Sequence, residues 1–102
     1  MKPVVFNPAA VRDLDDITQF IANDNPRPSI EVRCAILDTA DLIGRFPLIG
    51  FQPAFRSKRH VGVRFLTVKK YRNYLVFYRE SESEVEILRV LNSAQDYLRF
   101  FR

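Results

Sequence analysis

The chain has one cysteine, Cys34, and one histidine, His60, in 102 residues. Those counts exclude a disulfide framework, a zinc knuckle and any Cys/His metal cluster. Glycine is nearly as scarce: Gly44, Gly50 and Gly62 stand alone, so no glycine-rich loop is there to cradle a phosphate. Three glycines and six scattered prolines leave no long disordered or low-complexity segment. No run approaches the roughly 18 apolar residues of a membrane-spanning helix. The opening MKPVVFNPAAVRDL lacks the apolar stretch of a secretion signal, so a soluble, cytoplasmic protein is expected. Finally, no acid occurs between Asp41 and Glu80, an interval with nine basic side chains.

What is present suffices for a single domain over residues 1–102. The chain is 47% hydrophobic and 27% charged, enough to close a core without metal or disulfide. The formal charge of +4 hides a division. Residues 1–44 carry four basic side chains against seven acidic, and residues 45–102 carry twelve against five.

Lys2–Phe6 is short, β-branched and apolar, and reads as an edge or pairing strand. Asn7-Pro8 then starts a helix, because Asn caps well and Pro at the first helical position sacrifices no hydrogen bond. Ala10, Leu14, Ile17 and Ile21, widened by Phe20, form the apolar stripe of a helix over Pro8–Asn23. Asn25-Pro26 repeats the device. Ile30, Cys34, Leu37 and Asp41, flanked by Ile36, Ala40 and Ile43, mark a second helix that Gly44 is placed to end. So short a link predicts an antiparallel helical hairpin.

Phe46–Ser57 is a loop whose large apolar residues imply that it packs down. Val61–Val68 alternates as a strand, Lys69–Tyr71 is a tight connection, and Arg72–Glu80 is rich in strand formers. After a polar turn at Ser81–Ser83, Val85–Leu91 is apolar on both faces and so central. Tyr97, Phe100 and Phe101 fall at helical spacing in the tail Ser93–Arg102. The result is an α+β fold of order β-α-α-β-β-β. The helical hairpin covers a mainly antiparallel sheet of three or four strands, and a short C-terminal helix follows.

Little of this pattern supplies catalytic chemistry. Cys34 lies on a helix stripe and reads as a small buried hydrophobe. His60, beside Lys58 and Arg59, reads as a solvent-exposed surface histidine. Asp13, Asp15 and Asp16 read as a solvated helix face, and Glu80, Glu82, Glu84 and Glu86 as an outward, solubilising edge. The informative stretch interleaves Arg64, Arg72, Arg79 and Arg89 with Tyr71, Tyr74 and Tyr78. Arginine forks suit phosphate or carboxylate, and aromatic faces suit unstacked bases. A charged solvent face or a groove for an acidic protein fits the same residues.

The order of segments resembles the RelE/ParE superfamily of toxin–antitoxin toxins, most of all its ParE-type (plasmid stabilisation) branch. The matching pieces are FNPAAVRDLDDITQFIANDNP (Phe6–Pro26), FPLIG (Phe46–Gly50), GVR (Gly62–Arg64), YRNYLVFYR (Tyr71–Arg79) and EILRVLNSAQD (Glu86–Asp96). The resemblance implies the β-α-α-β-β-β fold and the toxin half of a type II module. It further implies DNA gyrase as target and a cognate antitoxin with an acidic, amphipathic C-terminal segment as partner. RelE-like relatives are instead ribosome-dependent messenger-RNA endoribonucleases; on this chain that chemistry would fall to Arg64, Arg79, Arg89 and Tyr97.

The stretch after Arg89-Val90-Leu91 offers Asn92, Ser93 and Gln95, with no strong acid or base, which favours the gyrase reading. ParE-like sequences commonly carry His and Arg there, so a detoxified antitoxin-binding module is a third alternative. The residues expected to bind the target are Arg56, Lys58, Arg59, His60, Tyr97, Arg99, Phe100, Phe101 and Arg102. Those expected to bind antitoxin are Leu14, Ile17, Ile21, Arg64, Arg72, Tyr74 and Arg79. No cofactor, metal, membrane contact or direct sequence-specific DNA binding by this chain alone is expected.

Overall fold

The computed structural model describes residues 1–53, 55 and 57–101. Its elements are β1 (Val4–Phe6), α1 (Pro8–Asp24), α2 (Pro26–Arg45), β2 (Arg64–Val68), β3 (Tyr71–Glu80) and β4 (Val85–Asn92). Single 3-10 turns lie at Lys58–His60 and Tyr97–Phe101. The class is α+β and the order is β-α-α-β-β-β. The four strands lie in the order β1-β4-β3-β2, with β1 parallel to β4 and the other pairs antiparallel. The terminal strand thus pairs beside the last one, which makes β4 central.

Both helices begin as their cap residues dictate. The Asn7 side chain accepts from the Ala10 N–H at 2.9 Å, and Asn25 accepts from the Arg27 N–H at 3.3 Å. The first helix ends at Asp24, one residue past the expected Asn23, whereas the second runs past Gly44. In particular Gly44 is not a left-handed cap but a buried residue inside α2, and the cap is Phe46. Its role is close approach: a Cβ there would lie 2.6 Å from Val4 Cγ2 and 3.2 Å from the Lys2 carbonyl oxygen. Glycine lets the end of α2 sit directly on β1.

The helix-side core joins Ala10, Leu14, Val32, Ile36, Ala40 and Ile43 to Val68, Val76, Tyr78, Val85, Ile87 and Val90. On α1 the expected stripe holds for Ala10 and Leu14, with Ile17 and Ile21 half-buried at its margin. Phe20 is instead 78% exposed. On α2 the buried stripe is Ser29, Val32, Ile36, Thr39, Ala40 and Ile43. It is rotated by one residue from Ile30, Cys34 and Leu37, which face solvent. Both stripes have helical spacing, so periodicity could not choose between them. Small Ser29, Ala40 and Gly44 allow the closer approach, and the Ser29 and Thr39 hydroxyls donate to the Pro26 and Ala35 carbonyls at 2.6 and 2.9 Å. Cys34 is therefore exposed and not core.

The opposite face carries a second core of Val63, Leu75, Phe77, Leu91 and Phe101. Helices do not cover it; Phe55, Phe100 and Tyr97 pack there from the loop and the tail. β2 starts at Arg64, since Val61 and Gly62 form a turn and Val61 is 70% exposed. The β2–β3 connection is Lys69-Lys70, with Lys70 in the left-handed region at φ 73°. The loop after α2 is pinned by backbone contacts and by Phe55, which packs on the second core. Phe46, Leu48, Ile49 and Phe51 are exposed, against expectation. Phe51 exchanges two 2.8 Å backbone hydrogen bonds with Phe65.

The main anchor of that loop is Tyr78, which is fully buried and so unable to stack a base. Its hydroxyl donates to the Pro47 carbonyl at 2.7 Å and accepts from the Gly50 N–H at 2.9 Å. Burial raises the Tyr78 pKa above its ordinary value, while the Gly50 N–H and the Arg64 charge oppose that rise. Tyr78→Phe leaves two loop groups without a partner and is expected to cost about 1–3 kcal/mol in denaturant unfolding. The unfolded tyrosine ionises near pH 10. Because the folded value lies higher, this contribution is complete below about pH 10 and is lost as pH rises through the folded pKa. Wild-type stability should fall more steeply above pH 10 than that of Tyr78→Phe; equal slopes would contradict the assignment.

Candidate partner-binding surfaces

The first surface is built on the second core. The Phe101 ring packs on Phe77 at 4.8 Å, Phe55 at 5.0 Å and His60 at 5.3 Å. The segment Lys58–His60 and the tail Tyr97–Phe101, distant in sequence, thus form one cluster. His60 is half-buried and meets Phe55 and Phe101 edge-on, not a free surface histidine. Phe101 is only 5% exposed, and Tyr97 packs on Phe77 at 5.4 Å. These aromatics hold the surface up; its accessible part is the rim of Lys58, Arg59, Leu98 and Arg99. Arg79 Nη1 donates to the Arg59 carbonyl at 2.7 Å and braces that rim. Of the expected target-binding residues, Arg56 and Arg102 lie outside the described residues.

The second feature is an ion pair that ties α1 to the sheet. β1 ends opposite Ile87, so beyond that point the outer edge of β4 has no strand beside it. Asp13 fills the gap. Its carboxylate takes Arg89 Nε at 2.7 Å and Nη2 at 2.8 Å, and accepts the Val90 N–H at 3.0 Å. The Asp13 bond raises the already high pKa of Arg89, burial opposing it. The same guanidinium lies 4.3 Å over the Phe100 ring, joining α1 to the tail around the sheet edge. Asp13 is thus an inward anchor and not part of a solvated face. Its sequence signal is its position, three residues after Ala10 and four before Ile17, on the border of the apolar stripe.

The four side chains named for the ribonuclease alternative each have a partner or packing within the fold. Arg64, opposite Tyr78, lies on the helix side and donates to the Gly50 carbonyl at 3.1 Å. Arg89 is paired with Asp13, Arg79 is bonded to Arg59, and Tyr97 is packed among rings.

The expected antitoxin residues also divide. Leu14 is buried in the core and unavailable for contact. Ile17 and Tyr74 line a groove between α1 and the open end of β4, with Asp16, Asn92 and Gln95. Ile21 lines a neighbouring groove at the hairpin tip with Asn25 and Pro28. Phe20, expected to widen the buried stripe of α1, lines both grooves. Arg72 is exposed, whereas Arg64 and Arg79 sit toward the far end of the sheet. Ile30, expected on the stripe of α2, is exposed, as is Leu42. Among the described residues no three His, Cys, Asp or Glu are placed to hold a metal ion. No helix there is long and apolar enough to cross a membrane.

A sequence profile described as "ParE toxin of type II toxin-antitoxin system, parDE" matches residues 4–97. No curated protein matches the chain. Among solved structures, the chain is similar to one described as "Chromosomal ParDE TA system from P. aeruginosa". The TM-score is 0.72 at 20% identity, covering 90% of this chain and 96% of that one, a likeness of fold.

Replacing Asp13 with Ala removes three hydrogen bonds at once and leaves Arg89 half-sheltered without its carboxylate. The expected loss is about 2–3 kcal/mol. Adding Arg89→Met should cost less than the sum of the single changes, because the two residues act as one unit. Amide exchange should also quicken at Phe100; an unchanged tail would show that Arg89 does not hold it.

Proposed function

The chain belongs to the family of ParE toxins of type II toxin–antitoxin systems, and from that premise we propose that it arrests growth by binding DNA gyrase in the cytoplasm. We propose equally that a small antitoxin, encoded beside it, neutralises it. The family match over residues 4–97 carries the reading. Site geometry supports the non-enzymatic form. The segment Asn92–Gln95 is spent on its own turn, with Gln95 Oε1 accepting the Asn92 N–H and Asn92 Oδ1 accepting the Ala94 N–H, both at 2.9 Å. Of the basic groups named for RNA cleavage, Arg64 bonds the Gly50 carbonyl, Arg79 the Arg59 carbonyl and Arg89 the Asp13 carboxylate.

Target binding on this reading uses the rim of Lys58, Arg59, Leu98 and Arg99, seated on the aromatic cluster. Antitoxin binding uses Ile17, Ile21, Phe20 and Tyr74 around the hairpin tip. Apolar anchors there supply affinity, and the basic sheet end speeds association with an acidic segment.

Purified protein is expected to inhibit gyrase supercoiling and to trap cleaved DNA. Lys58→Glu/Arg99→Glu should weaken inhibition at least about tenfold, with the melting temperature unchanged, if charge complementarity drives the contact. Intact supercoiling at saturating protein would overturn the gyrase target. Messenger-RNA cleavage in arrested cells would establish the ribonuclease alternative, and normal growth without antitoxin the detoxified one.

A further inference from the structure

In the rim proposed to meet the target, Arg99 is held by a ring. It is exposed and makes no ion pair among the described residues. Its guanidinium carbon lies 5.0 Å from the centroid of Phe100. The same ring takes the Arg89 guanidinium at 4.3 Å, so two cations share one π system. Phe100 is itself half-buried against the second core, which fixes the ring relative to the sheet.

Two guanidiniums on one ring repel each other unless one of them is neutralised. Asp13 neutralises Arg89 through hydrogen bonds of 2.7 and 2.8 Å. Its side chain is only 13% exposed, so salt and water screen the pair weakly. A guanidinium donates in its plane and stacks through its face, so Arg89 serves the carboxylate and the ring together. A continuous relay results, from Asp13 on α1 through Arg89 on β4 and Phe100 to Arg99 on the rim. An exposed arginine otherwise samples many rotamers, and ordering it at the moment of binding costs affinity. A ring that already holds the guanidinium removes part of that cost.

We infer that Asp13, Arg89 and Phe100 are positioning residues for target binding, which hold the Arg99 guanidinium in place before the target arrives. The inference rests on the target-binding reading of the rim above, and it adds to that surface a residue from the helical layer across the sheet. Asp13 acts through its charge, since a neutral residue there leaves Arg89 uncompensated beside Arg99. Phe100 acts through its π face, which an aliphatic side chain of similar size lacks.

The full chain is titrated against gyrase supercoiling with Phe100→Leu and Asp13→Asn, each made in the wild type and in Arg99→Ala. Both changes are expected to weaken inhibition about two- to fivefold, the range of one exposed cation–π contact. Neither should weaken it further in Arg99→Ala, where the group they position is gone. Phe100→Tyr, which keeps a π face, should inhibit more strongly than Phe100→Leu. In parallel, the NMR signal of the Arg99 Nε–H should be shifted upfield by the ring in the wild type. It should return to the free-arginine position in Phe100→Leu and in Asp13→Asn. Phe100→Leu leaves the Asp13–Arg89 bonds in place and carries the test if Asp13→Asn does not fold. Equal losses with and without Arg99 would show that the ring and carboxylate act on folding or touch the target themselves, and would overturn the inference. An Arg99 signal at the free-arginine position in the wild type also overturns it and leaves the gyrase reading standing. Intact supercoiling at saturating wild-type protein overturns the gyrase reading and, with it, this role for Arg99.

Discussion

Asp13 and Arg89 close the sheet where its first strand runs out, and both layers of the protein depend on that closure. β1 has only three residues and leaves the outer edge of the last part of β4 without a strand beside it. An open edge next to the apolar face of a helix would admit water to the core and invite another chain. One carboxylate supplies what a longer strand would have supplied, an acceptor for the Val90 N–H, and at the same time fixes the helix to the edge. The guanidinium then carries the connection to the other side of the sheet through Phe100. Helical hairpin and tail are in this way members of one assembly, although no core residue is shared between their two clusters.

The separation of the two clusters also separates the proposed tasks. The proposed antitoxin contacts fall at the hairpin tip. The basic rim proposed for the target lies across the sheet, on the tail and the Lys58–His60 turn. The division of charge along the sequence maps onto this arrangement: most acids lie on the helical layer, most bases on the loop, sheet and tail. The aromatic residues of the tail serve the proposed target contact only indirectly, as the platform from which Leu98 and Arg99 are presented.

Much of the fold was legible because local chemistry and periodicity agreed. Asn7-Pro8 and Asn25-Pro26 are strong start signals, and β4 reads as central because Val85, Ile87, Val90 and Leu91 leave neither face polar. The errors share one cause. Where a helix carries apolar residues around much of its circumference, spacing gives a stripe but not its direction, so Cys34 was placed in the core and Phe20 on the stripe. What decides the direction is steric: Ser29, Ala40 and Gly44 permit contact with the sheet, and that depends on partners remote in sequence. Asp13 was missed because its value comes from Arg89 and Val90, more than seventy residues away, and Tyr78 because a buried phenol needs to know where the loop backbone runs.

The pairing of β1 with β4 has a consequence for synthesis. The two helices and the β2–β3 hairpin can form from neighbouring residues as the chain emerges. The first strand, however, waits with unpaired backbone until residues 85–87 are made, and the edge seal waits a little longer for Arg89. Neither the helix-side core nor the aromatic platform is complete before then. Order therefore arrives only once residues 85–101 have been made, and a ribosome that has not yet reached them does not carry the finished surfaces.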